Sequence, residues 1–343
     1  RWFRPSGPRK KLAPRMSADE VVYDPESLRF TLTGHVRVEA GGVILRGDSF
    51  DYDKTNGTFG TAGGGVFSSK RMTGRAAEIL YAEGTDEGRL AGGARVELAA
   101  PGQANEGLDV SGESFRYARR ERRGRVEGQA EIKSAKFQGT SETVSFVASE
   151  DEAGFESAVL EGGAKVAFGG KEPPGGGSGE IRADRMAVYF ARDPFGLGSI
   201  KTTGRSNLSF RSAADVTETV LAPTALLSFD RVNGLWTWFA SGGIRAEVMS
   251  AGRPGRTLEG EEAVFDGARI LHVSSRSGRP AVADSAAARI EAPSISVATD
   301  TGGILATGGV AGIIKRGEER RAVGFFSPSD DVAFSSASVE LRP

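Results

Sequence analysis

With 343 residues, 38% apolar side chains and 48 glycines, the chain is long enough for a repeat array or two domains. It is too glycine-rich for a body of packed helices. A formal charge of −1 excludes general attraction to nucleic acid, and the lack of cysteine excludes disulfides and thiolate metal sites. No run of about 18 apolar residues is present to cross a bilayer as a helix.

Residues 1–16 read as a basic, extended lead-in, carrying Arg1, Arg4, Arg9, Lys10, Lys11 and Arg15 among three prolines. Such a stretch also suits contact with anionic lipid. Arg at position 1 is expected of a processed or truncated chain, with a signal peptide or N-terminal anchor preceding it.

From residue 17 the chain repeats one pattern: a short strand, a polar bend, then glycine and an alternating strand. The first copy runs from Val21-Val22-Tyr23 to Gly34-His35-Val36-Arg37-Val38. The second runs from Phe50-Asp51-Tyr52, through the tight-turn dipeptide Asn56-Gly57, to Gly64-Gly65-Val66. Ile79-Leu80-Tyr81 leads to Gly92 and Val96-Glu97-Leu98; Phe115-Arg116-Tyr117 leads to Gly128; Val144-Ser145-Phe146 leads to Gly162 and Val166-Ala167-Phe168. Looser copies close at Gly204, Gly242, Gly278 and Gly308, and Val332-Ala333-Phe334 begins an incomplete last one. The period drifts around roughly 35 residues, with the drift in the bends, as expected where strands are fixed and turns vary.

Within each copy the alternation has period two, the mark of half-buried strands. Val36, Val38, Phe50, Tyr52, Ile79, Tyr81, Val96, Leu98, Phe115, Tyr117, Val144, Phe146, Val166 and Phe168 are thereby expected on one inward face. Stacking would bring equivalent residues of neighbouring copies to about 5 Å. Glu113–Arg123 could be mistaken for a helix, but in register with the other copies it is strand plus bend. The expected organisation is all-β: an elongated jelly roll or twisted open trough in two consecutive lobes, 17–168 and 180–343. A Gly/Pro-rich loop, 169–179, separates them.

The repeated Ala-Asp/Glu start before an apolar-x-Tyr strand, and the Gly-x-Val-x-Val strand after the turn, resemble the OstA-like family. These are the periplasmic proteins of lipopolysaccharide transport, LptA and LptC among them. Ala18-Asp19-Glu20-Val21-Val22-Tyr23 and Phe30-Thr31-Leu32-Thr33-Gly34-His35-Val36 carry the resemblance best. Ile181-Arg182-Ala183-Asp184-Arg185-Met186 keeps it in the second half. The resemblance implies a jelly roll that holds acyl chains and joins end to end with related domains or with itself. It makes the inward ladder the lipid-binding surface, lipopolysaccharide or a similar glycolipid the cargo, and the periplasm the compartment. A tether to the inner membrane would be supplied by a segment outside this chain.

Other readings compete. His35 and His272 fall in different copies, which argues against a metal or triad site, and no cofactor is expected. The acids Asp48/Asp51/Asp53, Glu259/Glu261/Glu262 and Asp330/Asp331 fall on bends or solvent faces rather than converging as a glycosidase pair would. The expectation is therefore a non-enzymatic protein, with a carbohydrate-active β-solenoid enzyme as the weakest alternative. Arg119, Arg120, Arg122 and Arg123 belong to the densest basic cluster, either a solvated bend or a contact for lipid phosphates. The ladder itself is either a lipid surface or the ordinary core of an envelope structural or adhesion scaffold.

Overall fold

In the computed structural model the chain forms strands and turns, with no helix among the described residues. Those residues are 13–61, 63–99, 107–150, 154–169, 177–191, 196–211, 216–230, 235–250, 255–267, 270–315 and 331–341. Two compact units divide the chain: residues 1–135 with 140–158, and residues 136–139 with 159–343. Of the Gly/Pro-rich stretch expected to separate two lobes, residues 170–176 lie outside the described residues. So do the first twelve residues of the basic lead-in.

The first unit contains β1 (Arg15–Ser17), β2 (Glu20–Asp24), β3 (Arg29–Ala40), β4 (Val43–Asp53), β5 (Thr58–Thr61) and β6 (Gly65–Ser68). It continues with β7 (Met72–Ala76), β8 (Glu78–Ala82), β9 (Glu87–Leu98), β10 (Leu108–Ala118) and β11 (Arg123–Lys133). β12 (Phe137–Ala148) and β13 (Phe155–Gly169) follow, and the division between units runs through both. The stretch Glu113–Arg123 is the end of β10, a turn at 119–122 and the start of β11, so strand plus bend is what forms.

Each long strand serves two layers. The first part of β3 pairs with β2, and its last part pairs with β1. The end of β4 pairs with β5 and its beginning with β6; likewise the beginning of β9 pairs with β8 and its end with β7. Between the two parts the register slips: Thr33 and Val36 face Ser49 and Gly47, so Gly34-His35 opposes Asp48 alone. Such a bulge bends the strand from one layer into the other.

All nine glycines that close the sequence copies, at 34, 64, 92, 128, 162, 204, 242, 278 and 308, have φ between +73° and +95°. An L side chain is strained there, and glycine is not. The same spacing explains the Ala-Asp/Glu signature. The residue after that Ala lies over a bulge glycine: Asp19 over Gly34, Ala77 over Gly92, Asp184 over Gly204. Pro223 and Pro293 take that place over Gly242 and Gly308. The Asp184 carboxylate also accepts the backbone N–H of Arg205 at 3.0 Å.

Away from the bulges, four-residue turns at 25–28, 54–57, 83–86 and 119–122 join neighbours within the first layer. Their last residues, Leu28, Gly57, Asp86 and Arg122, all have positive φ. Each last carbonyl accepts an N–H from the neighbouring turn or strand end: Lys54 to Leu28, Glu83 to Gly57, Arg119 to Asp86, Ala148 to Arg122. The layers are therefore linked by chain along the bulge line, while the opposite side is bordered by turns that stay within one layer.

The second unit repeats this plan. It holds β14 (Ser178–Ala191), β15 (Gly196–Arg211), β16 (Val216–Ala222), β17 (Thr224–Asp230), β18 (Leu235–Ser250) and β19 (Arg256–Phe265). It ends with β20 (Ile270–Ser274), β21 (Ala281–Ser285), β22 (Ala288–Ala292), β23 (Ser294–Ala298), β24 (Ile304–Ile314) and β25 (Val332–Leu341). β17 pairs with the first part of β18 and β16 with its last part. β20 and β21 divide β19 in the same way.

Because Gly204 has φ +89° and a Cβ there would meet Asp184, Gly204→Ala should destabilise by about 1–3 kcal/mol. Gly84 has open space around it and no positive φ, so Gly84→Ala should leave stability unchanged or slightly raised. Urea unfolding midpoints of the two variants check this, and equal midpoints would contradict the role given to the bulge glycines.

Candidate functional site

Across the first layer of the first unit, one inward row follows the register from strand to strand. It reads Tyr23, Phe30, Tyr52, Phe59, Tyr81, Gly88, Tyr117, Gly124. Tyr23 stacks on Phe30 at 4.5 Å and Tyr52 on Phe59 at 4.2 Å. At Gly124 the Phe146 ring takes the space that a Cβ would fill. A parallel row runs through Ile79, Leu90, Phe115 and Val126. Leu45, Phe67 and Val96 are buried in the second layer.

All fourteen residues of the expected ladder are buried, none more than 8% exposed. Their spacing differs from the expectation. Each copy is a hairpin that gives two strands to a layer, so Tyr52 and Tyr81 are separated by Phe59 on β5. Equivalent residues are therefore two strands, about 10 Å, apart. The gaps are filled by Phe59 and Leu90, which the ladder omitted although both alternate in phase with it.

The ladder also continues past Phe168. In the second unit Phe168, Phe210, Trp238 and Phe265 follow one another at centroid distances of 6.4, 6.2 and 6.1 Å. Phe210 and Trp238 come from opposite layers and lie nearly parallel, at 11°. The Trp238 indole N–H is buried and has no acceptor among the described residues. Another inward group that sequence reasoning missed is Glu218, 8% exposed on β16. The alternation Val216-Thr217-Glu218-Thr219-Val220 would have revealed it.

In the first unit one enclosed space of about 20 Å³ is lined by Val43, Leu45, Phe67, Ile79, Tyr81, Phe115 and Tyr117 among others. Ligand pockets ordinarily offer about 300–1,000 Å³, so a guest enters this space only if the layers part. A cleft of about 570 Å³ lies on the second unit, lined by Ile270, His272, Ser296, Leu305 and Glu340 among others.

Polar contacts bridge the side away from the bulges. Arg119, in the β10–β11 turn, donates to the Gly41 carbonyl in the β3–β4 turn of the other layer at 3.0 Å. The Tyr81 hydroxyl reaches the same turn, where a Cβ on Gly41 would be 2.6 Å from it. Tyr81 donates to Asp86 at 2.9 Å, and burial, with that carboxylate beside it, pushes the phenol well above its ordinary range. Of the other candidate anion contacts, Arg122 donates to the Ala148 carbonyl at 3.4 Å and to Glu156 at 3.2 Å. Arg120 and Arg123 are exposed.

The remaining candidates serve turns and surfaces. Asp53 accepts from the backbone N–H groups of Thr55 and Asn56, and the hydrogen bonds from Asn56 hold its carboxyl below the usual range. Asp51 accepts from Thr31 at 2.9 Å. Glu261 accepts from the N–H groups of Arg276 and Ser277, Glu259 pairs with Arg245, and Glu262 pairs with Arg276. Asp330 lies outside the described residues. His35 Nδ1 is 2.8 Å from the Asp19 carboxylate, whose hydrogen bond raises the imidazole pKa; His272 Nδ1 is 2.8 Å from Ser296 Oγ. The two histidines belong to different units.

Together these features define a class: all-β units of two layers, linked by chain along one side and enclosing an apolar, aromatic-rich interior. No family model matches the chain, and no curated protein matches it. Among solved structures it is similar to LptH, the LptA-homologous periplasmic component of the lipopolysaccharide transport device of Pseudomonas aeruginosa. The match has 17% identity and a TM-score of 0.21, over 39% of this chain and 75% of that one.

Phe146 lies against Phe155 at 4.2 Å, Phe115 at 5.7 Å and Tyr117 at 6.0 Å. Phe146→Ala should cost about 3–5 kcal/mol through lost burial and the cavity left behind. A loss below about 1 kcal/mol in chemical denaturation would show that this interior collapses freely.

Proposed function

We propose that the chain is a non-enzymatic, periplasmic lipid-binding or bridging protein that holds the acyl chains of lipopolysaccharide, or a similar glycolipid, between its layers. The observation that carries this reading is an apolar interior whose layers, among the described residues, are linked by chain along the bulge side. Parting the other side breaks side-chain contacts and leaves the strand ladders intact. Each methylene then taken in regains about 0.8 kcal/mol of burial without needing a hydrogen-bond partner. A cargo held this way is also released this way. The sequence resemblance at Ala18–Tyr23 and Phe30–Val36 supports the same reading.

The small size of the space among Val43, Leu45, Phe67, Phe115 and Tyr117 favours a second reading, an envelope scaffold whose interior is only core. A photo-crosslinking aromatic separates the two. Phe115 is 2% exposed and points inward, and its neighbour Arg116 points outward to Glu87. With the probe at 115, lipopolysaccharide should be captured; with the probe at 116 it should not. Capture at neither position favours the scaffold, and equal capture at both would falsify lipid between the layers.

The partners proposed beyond the lipid are related jelly-roll domains, or further copies of this chain, joined end to end. β2 pairs with β3 alone and β25 with β24 alone among the described residues. Val21, Val22 and Val332 on these strands are more than half exposed. Unpaired edges of this kind accept another strand, and lysine on them blocks it. The particle mass from light scattering should rise with concentration, and Val22→Lys or Val332→Lys should lower it. A constant monomer mass that neither variant alters would exclude self-association through these edges.

A further inference from the structure

In the second unit the turn after β23, residues 299–302, meets the opposite layer through two polar contacts. β23 pairs with β20 and with the first part of β24, so the turn borders one layer. Glu218 on β16 belongs to the other layer, between Phe210 of β15 and Val248 of β18. Its carboxyl accepts a hydrogen bond from Thr299. One strand beyond β18, Arg256 of β19 pairs with Val248 and donates to the Gly302 carbonyl. Both contacts lie away from the bulge glycines, on the side bordered by turns.

We propose that the Thr299–Gly302 turn is a clasp across the open side of the second unit, closed while Glu218 carries its proton and loosened when the carboxyl ionises. The surroundings of Glu218 dictate that direction. It is 8% exposed; Val216 and Val220 precede and follow it on its face, and Phe210 and Val248 flank it. Of the charged groups on the strands around it, Arg211 on β15, Arg245 and Glu247 on β18 and Glu259 on β19 are exposed, alternating with the buried residues; Arg256 on β19 and Asp300 in the turn lie nearest the clasp. Arg256 is directed at Gly302, and Asp300 is exposed with its carboxylate on the Thr301 N–H. A carboxylate in this setting gains one hydroxyl donor and loses water. Burial accordingly raises its pKa to about 7, against the smaller opposing effect of Thr299.

The sign follows from proton linkage. The closed state binds the Glu218 proton more tightly than a solvated carboxyl does. Its contribution is fully present below the ordinary carboxylate range and is lost as pH rises through about 7. Over that window the closed-to-open ratio falls by about tenfold per pH unit. The clasp is a property of this chain's own residues and does not depend on the nature of any cargo.

The cysteine-free chain permits clean labelling. Spin labels at Thr217→Cys, on the outward side of β16, and Thr301→Cys, in the turn, report the gap between the layers. A short distance should dominate near pH 4, and a longer one should grow as pH rises through the window and level off above about 7. Glu218→Gln should keep the short distance at every pH. Thr299→Val removes the donor that favours the ionised form, so the levelling-off should move to higher pH; this keeps the proposal testable if Glu218→Gln does not fold. A distance that ignores pH in the otherwise unaltered chain overturns the proposal, as does opening that persists with pH in Glu218→Gln.

Discussion

The positive φ demanded at one glycine in each copy governs this architecture. A strand that meets such a residue cannot continue flat, so it leaves one layer and enters the other. Each layer is therefore built from halves of long strands, filled out by short ones such as β5, β6, β7 and β8. What borders the bulge follows from the same constraint. The space over Gly34, Gly92, Gly204, Gly242 and Gly308 is taken by a residue 15–20 positions earlier in the chain, and an Asp there can accept a backbone N–H, as Asp184 does from Arg205. Glycine and acid are thus one device seen from two strands.

The outer faces explain the near-zero charge. On the outer faces, Arg and Glu alternate two residues apart around an inward residue: Arg37/Glu39, Arg95/Glu97, Arg125/Glu127, Arg245/Glu247 and Arg289/Glu291. Exposed pairs of this kind contribute little stability, about 0–1 kcal/mol each. They keep a broad strand surface polar without building a field of one sign. The basic cluster at 116–125 is consistent with this, since Arg116, Arg119, Arg122 and Arg125 have partners on the protein itself.

Much of this was legible in the sequence, for a simple reason: period-two alternation and glycine placement are local. Inward Phe50, Tyr52 and Phe115, the strand-turn reading of Glu113–Arg123, and the line of closing glycines all follow from neighbours within a few residues. What escaped needed pairing partners. That each copy is a hairpin filling two rungs, so that Phe59 stands between Tyr52 and Tyr81, depends on which strands meet. The same holds for Trp238 against Phe210, brought together from opposite layers 28 residues apart. Glu218 is the exception. Its inward phase was written in β16, but a lone acid among alternating residues draws no attention until its neighbours are known to be Phe210 and Val248.

A closely packed interior and the proposed lipid-holding role are compatible where the layers are linked by chain along the bulge line. Opening the opposite side exposes rings that each gain roughly 1.5–3 kcal/mol from burial, a cost that keeps the empty protein shut. An acyl chain that slides between the rings restores the same kind of burial, so exchange of ring for chain is nearly balanced where simple opening is not. Contacts that bridge the open side include Arg119 to Gly41 in the first unit, and Arg256 to Gly302 and Thr299 to Glu218 in the second. Arg119 and Arg256 each donate to a glycine carbonyl in a turn of the opposite layer. Such contacts fix the registry of the two edges, while the apolar interior sets the energy of parting them. A protein built so is held closed by what it would otherwise offer to a guest.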